Sequence, residues 1–209
     1  MKLLLPLLVL LATACSSVET AKEDPAELYK EALQEIENDH YMLAIDKLRE
    51  IKNKFPYSKF AIESQLKLGD VYFLQESYSE AAAVYESFRD LHPKHERVAH
   101  AMFRLGKSHF LDSPEIVSRD QASSERAIAA YNDFLVRFPN DPQSPEARGD
   151  VSKLESRLAE KEWEIGEFYF KRGKSDAAKR RFQRLVERFP KSDAAARARR
   201  HLDTGGSKP

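Results

Sequence analysis

Helical runs of apolar positions recur along the chain, and four of them break in the same way. In each break a run closes on a proline, a short polar turn follows, and a new run opens on alanine. The four phrases are IKNKFPYSKFA (Ile51 to Ala61), RDLHPKHERVAHA (Arg89 to Ala101), LVRFPNDPQSPEA (Leu135 to Ala147) and VERFPKSDAAARA (Val186 to Ala198). Proline has no N–H and pushes the residue before it out of the helical region, so each phrase ends one helix. Ser58, Ser144 and Ser192 are candidate N-caps for the helices that follow. Such repeated punctuation predicts an all-α chain of stacked helix-turn-helix pairs.

Aligning the phrases gives a template. In residues 62 to 93, Leu68, Gly69, Tyr72, Ala81, Tyr85, Phe88 and Pro93 fall at spacings that resemble the tetratricopeptide repeat. Gly69 and Ala81 let two antiparallel helices approach, while Tyr72, Tyr85 and Phe88 fill the space between them. The first repeat, about 25 to 56, keeps Ala32, Ala44, Leu48, Ile51 and Pro56 but has no glycine. The third keeps Leu105, Gly106, Ala127, Tyr131, Phe134 and Pro139, with extra residues between its helices around LDSPEIVSRDQASS. The fourth keeps Ile165, Gly166, Tyr169, Ala178, Phe182, Leu185 and Pro190. Before it, SPEARGDVSKLESRLAEKEWEIGEFYF reads as one long helix opening at Ser144 and Pro145. A last helix, about Ser192 to Leu202, is expected to cover the end of the stack.

With 33% charged and 42% hydrophobic residues and 7 glycines in 209, the composition is that of a folded helical protein. Basic and acidic residues are equal at 34 each, so no global charge points to nucleic acid. Charge is nonetheless uneven: residues 16 to 99 hold 11 basic and 17 acidic side chains, and residues 171 to 200 hold 12 basic and 3 acidic. One end of the rod is therefore strongly positive. The 1 cysteine, Cys15, excludes an internal disulfide framework and a cysteine zinc cluster. It closes MKLLLPLLVLLATACSS, a secretory signal in form and too short to span a bilayer. Ala-Thr-Ala-Cys resembles a bacterial lipobox, which implies cleavage before Cys15 and acylation of it. The expected organisation is a cleaved lipoprotein signal at 1–14, an acylated N-terminus and tether at 15–25, a repeat domain at 26–203 with about four repeats and a capping helix, and a flexible tail at 204–209.

Together the tether, the early PYSxxA punctuation, LHPKHERVAHAMFRLG, the interrupting RDQ at Arg119 to Gln121 and the long helix entering EFYFKRG resemble the BamD family of β-barrel assembly lipoproteins. That resemblance implies a non-enzymatic scaffold on the outer membrane, facing the periplasm. It further implies that the scaffold binds unfolded outer-membrane β-barrel proteins and docks on the periplasmic domains of a BamA-like barrel protein, with acyl chains in the outer-membrane lipid. A different tetratricopeptide lipoprotein, such as a secretin pilot or a cell-wall synthesis coordinator, is the alternative.

In tetratricopeptide arrays the first helix of each pair lines a concave groove. Mapped here, that implies Tyr29, Leu33, Ile36, Leu66, Phe73, Leu74, His100, Phe103, Lys107, Phe110 and Leu111. Lys107, one turn from Phe103 and Phe110, suits a peptide ending in an aromatic residue and a carboxylate. On the basic end Arg180 and Arg184 should point away from the packing residues Ala178, Phe182, Leu185 and Phe189, and Arg197 and Arg200 add charge on the next helix. These four arginines are the expected docking surface for an acidic partner. No cofactor, metal or nucleic acid is expected. HPKHERVAH lacks the H-E-x-x-H spacing that puts two imidazoles on one helix face, because position 99 is alanine. Neither a phosphate loop nor a nucleophile motif is present.

Overall fold

The structure, a computed structural model, describes residues 24–204. The signal segment, Cys15, most of the tether and the tail beyond 204 lie outside the described residues. Among those described, the chain is wholly helical: α1 (Pro25–Glu37), α2 (Tyr41–Lys54), α3 (Lys59–Leu74), α4 (Tyr78–Leu91), α5 (Val98–Asp112), α6 (Ala122–Arg137), α7 (Ser144–Lys171), α8 (Ser175–Arg188) and α9 (Asp193–Asp203). Each helix packs on the next, and first helices also touch across pairs, α1 on α3, α5 on α7 and α7 on α9. The result is a tetratricopeptide-type solenoid of four pairs closed by α9.

The pairs are held together by one interlock used three times. A Cβ placed on Gly69, Gly106 or Gly166 would stand 2.7, 2.5 or 2.4 Å from a ring atom of Tyr85, Tyr131 or Phe182. Glycine inside a helix costs about 1 kcal/mol against alanine, so its presence here is explained by the ring lying across the backbone. In the first pair Ala32 and Leu48, both fully buried, take these places. The smaller leucine leaves room for a methyl group.

Helix ends follow the sequence closely. Ser58 Oγ accepts from Ala61 N–H at 3.2 Å and Ser192 Oγ from Ala195 N–H at 3.1 Å. Ser144 departs from expectation. It is already the first residue of α7, its hydroxyl donates to the Phe138 carbonyl at 2.8 Å, and Gln143 is the capping residue without a side-chain bond. The Asp141 carboxylate has taken the local role, accepting from Gln143 N–H at 2.8 Å. Inside the pairs the turns pass through left-handed residues, Asp39 (φ 59°), Glu76 (φ 58°) and Gly173 (φ 72°).

α7 runs for 28 residues with Pro145 in its first turn, as its sequence predicts. The insertion between α5 and α6 is clamped to it. Gln121, 4% exposed, turns inward and donates Nε2–H to the Ile116 carbonyl at 3.0 Å, while its Oε1 accepts from the Ser124 hydroxyl at 2.7 Å. From α7, Arg157 donates to Ser113 Oγ at 3.0 Å and to the Pro114 carbonyl at 3.1 Å, and Lys161 donates to the Arg119 carbonyl at 3.0 Å. α9 closes the stack with Ala194, Ala195 and Ala198 buried against Phe182 and Leu185.

Candidate peptide-binding face and docking surface

From Arg97, the capping residue of α5, through His100, Arg104, Lys107 and Leu111 the positions recur every three or four residues, so they share one face. α3 and α7 border that face with carboxylates. Asp70 sits one place after Gly69, and Lys107 sits at the corresponding place after Gly106, so the same position in successive repeats carries opposite charges. Each of the two binds forward to the next first helix.

Asp70 accepts from His100 Nε2–H at 3.0 Å and from the Tyr85 hydroxyl at 2.9 Å, with Lys67 at 3.1 Å and Arg97 at 3.8 Å. Burial by itself pushes the Asp70 carboxyl up, but the His100 hydrogen bond, the charges of Lys67 and His100 and the Tyr85 hydroxyl outweigh it and hold the group at about 2, below its ordinary 3.8. A depressed carboxylate stabilises the fold fully above the unfolded value and loses that contribution as pH falls through the folded one. The window is therefore about pH 4 down to about pH 2, and at ~1.4 kcal/mol per unit the loss is roughly 2 kcal/mol. Denaturant midpoints measured from pH 5 to pH 2 should fall less steeply in Asp70→Asn than in the parent. Parallel slopes would remove this role.

Asp150 on α7 is the second node. Its side chain is 3% exposed and meets Lys107 Nζ at 2.8 Å and Lys153 Nζ at 3.4 Å, and it accepts from the buried Tyr131 hydroxyl at 3.0 Å. Burial first, then the charge and hydrogen bond of Asp150, push the Tyr131 phenol far above its ordinary range, so it remains a donor. Glu146 also reaches Lys107, at 2.8 Å. Burial alone would lower the Lys107 ammonium, and the two carboxylates raise it instead.

These contacts revise the expected groove. Lys107 is already neutralised by two carboxylates of its own chain, so it braces α5 to α7 and is not an open receptor for a peptide terminus. Leu66 is fully buried in a cluster with Ala101 and Leu105 of α5, and Phe103, 3% exposed, lies among Tyr131, Phe134 and Ala147. Leu66 leaves the groove under the next first helix, whereas the Phe103 ring turns into its own pair, 5.8 Å from Tyr131 and 5.7 Å from Phe134 of α6. Tyr29 and Ile36 are half-buried and pack on the cluster of Ala32, Ile45, Leu48, Leu68 and Val71, with the Tyr29 ring 5.7 Å from Phe60. Leu33 is half-buried on α1. Phe73 and Phe110 stay on the inner face. The Phe110 ring lies 4.8 Å from Lys107 Nζ and 5.8 Å from Lys153 Nζ, with Leu74 and Leu111 exposed beside the two rings at 53% and 39%.

Sequence reasoning missed Arg104. Its guanidinium stacks on Phe73 at 4.4 Å. The signal was available, since Arg104 continues the spacing of Arg97, His100 and Lys107.

His92, His95 and His100 take packing and pairing positions. The first two rings lie 5.1 and 5.2 Å from Phe88, and His100 edges onto Tyr85 at 6.2 Å.

At the basic end Arg180, Arg184 and Arg200 are exposed and form no ion pair among the described residues. Arg197 does not join them: it pairs with Glu160 and lies 4.8 Å over the Trp163 ring, because α9 folds this side chain back onto α7. Arg181 likewise turns inward to Glu162 at 2.9 Å.

Stacked helix pairs with Gly–aromatic interlocks define a tetratricopeptide-type repeat protein. The profile of the YfiO family, described as outer membrane lipoprotein, matches residues 21–202, and the chain belongs to that family. It is similar to the outer membrane protein assembly factor BamD of Caulobacter vibrioides, 32% identical over 168 residues, 80% of this chain and 55% of that protein. The chain thus spans little more than half of that relative. The factor of the same name from Vibrio cholerae is 29% identical over 195 residues, 88% of this chain and 81% of that protein. A tetratricopeptide repeat protein from Parabacteroides merdae aligns with a TM-score of 0.47 at 16% identity, over 87% of this chain and 74% of that one.

Proposed function

We propose that the chain is an outer-membrane protein assembly factor, a non-enzymatic scaffold facing the periplasm and held to the outer membrane by acyl chains on Cys15. Its inner face receives extended segments of unfolded β-barrel proteins, and its basic end docks on the periplasmic part of a BamA-like barrel protein. Support for the role comes from the family and from relatives that carry this name. The observation that carries the mechanism is the division of surfaces: an inner face with half-buried Phe73 and Phe110 beside exposed Leu74 and Leu111, and a separate basic end where Arg180, Arg184 and Arg200 form no ion pair among the described residues. No helix among the described residues is long and apolar enough to cross a membrane. More than one acyl chain at about 0.8 kcal/mol per buried methylene supplies firm anchoring in such a design.

Affinity purification of the lipidated chain from membranes tests the role. A BamA-like barrel protein should co-purify, and a fatty-acid label should vanish in Cys15→Ala. Recovery of a secretin or a peptidoglycan synthase in its place would overturn the assembly reading. Exposed charge pairs contribute about 0 to 1 kcal/mol each and act mainly on association rate. Arg180→Glu with Arg184→Glu should therefore slow association with the barrel protein and flatten its dependence on salt, while peptide binding on the inner face is unchanged. An unaltered on-rate and salt slope would move docking elsewhere.

A further inference from the structure

Four cations on or beside the α5 face are already matched with acids: Lys67 with Asp70, Arg97 with Glu63 and Asp70, Lys107 with Asp150 and Glu146, and Lys153 with Asp150. Arg104 stands between these nodes, and its side chain forms no ion pair or hydrogen bond among the described residues. Its Nε is shut off from solvent and has no partner. The positive charge of Arg104 reaches both the Tyr85 and the Tyr131 phenols, the donors to Asp70 and Asp150. A guanidinium deprived of both water at Nε and a counter-charge is costly, and stacking on Phe73 offsets that cost only in part. Neither neighbouring carboxylate is free to turn toward it, since each already holds at least two cations and a tyrosine hydroxyl.

We infer that Arg104 is a receptor for a ligand carboxylate on the inner face. The inference rests on the proposed reading of that face as a peptide site and names the chemistry the site selects. With Nε closed off, the two Nη groups still present a planar fork that matches a carboxylate in two parallel hydrogen bonds, which a compact ammonium does not. Apolar neighbours set the rest of the ligand. From Arg104 to Leu111 is seven residues of helix, roughly 10 Å, and an extended peptide covers that in about three residues. Phe73 and Leu74 border this path from α3, and Phe110 and Leu111 border it from α5. The ligand class is therefore an extended segment with a carboxylate and apolar side chains within about three residues of it. That carboxylate is either the chain terminus or an aspartate or glutamate side chain, and the chemistry at Arg104 is the same for both.

Three labelled peptides of one apolar sequence separate these sources when titrated against the full-length protein: a free-acid C-terminus, the amidated form, and an amidated form with one internal aspartate. The parent should bind at least one acid-bearing peptide about tenfold or more above the amidated peptide, as expected for a charge-assisted bond. Whichever acid form wins identifies the source. Arg104→Gln should erase that preference, bringing the acid-bearing peptides to the affinity of the amidated one, and Arg104→Lys should restore it in part. Helical circular dichroism of each variant excludes unfolding as the cause. An acid preference that survives Arg104→Gln overturns the assignment, and so does a parent without any acid preference. Leu74→Glu with Leu111→Glu tests the underlying reading separately. Loss of all three peptides in that pair keeps the inner face as the peptide site even where Arg104 fails, whereas unchanged binding of all three places the peptides elsewhere and overturns both.

Discussion

Asp150→Ala is expected to destabilise the fold by roughly 3 kcal/mol, the lower end of what breaking a buried ion pair costs. Three groups lose their partner at once. Lys107 keeps Glu146 and is 20% exposed, so its share is moderated. The Tyr131 hydroxyl is in a fully buried residue and loses its acceptor, which alone costs about 1 to 3 kcal/mol. Lys153 is 68% exposed and contributes little. Asp150→Asn keeps an acceptor for Tyr131 and should cost clearly less. Since well-packed apolar replacement of a whole buried ionic cluster is often neutral, Asp150→Leu combined with Lys107→Met and Tyr131→Phe should recover most of the loss. Denaturant unfolding of the four proteins checks the series. If Asp150→Ala lies within about 0.5 kcal/mol of the parent, α7 is not braced through this carboxylate.

The Asp150 node also marks the limit of what the sequence reveals. Helix ends were legible because proline acts locally: α2, α4, α6 and α8 each stop just before the punctuation, and Pro145 opens α7 where a preset φ is welcome. The close approach of two helices at Gly69 was legible too, because helices within a repeat are close in sequence, whereas which ring lies on each glycine, Tyr85, Tyr131 or Phe182, emerged only in the structure. What lies between repeats was not. Lys107 and Asp150 are 43 residues apart, and no spacing on α5 announces which acid α7 brings to it. Leu66 and Phe103 were assigned to the groove by their place on a helix, yet the next first helix covers Leu66, and the Phe103 ring packs on Tyr131 and Phe134 of its own pair. Arg197 reads as surface charge in sequence, and its long stem lets it fold back over Trp163. Gln121 reads as a polar loop residue, and three carbonyls of the same loop draw its amide inward.

Gly166→Ala should change sign with its partner. In the parent the new methyl would stand 2.4 Å from Phe182 Cε1, and Phe182 is fully buried with Trp163 at 5.0 Å and His201 at 4.6 Å on its other sides. The ring has nowhere to retreat, so overpacking costs about 1 to 3 kcal/mol. Helix propensity favours alanine by about 1 kcal/mol, which does not offset the steric clash. Phe182→Ala alone removes the ring and leaves a cavity under α7 and α9, at about 3 to 5 kcal/mol. In that background the methyl at position 166 meets empty space. The clash is gone, the helix gain of about 1 kcal/mol remains, and the double variant should be more stable than Phe182→Ala by that amount. A substitution that weakens the parent therefore strengthens the mutant, and the coupling between the two sites equals the removed clash, about 1 to 3 kcal/mol. A four-way cycle of urea midpoints measures it, with amide exchange in α7 and α8 reporting where the stability changes. Additive effects at the two positions would mean that α7 and α8 separate freely to admit the methyl, and that the glycine is not what sets their approach.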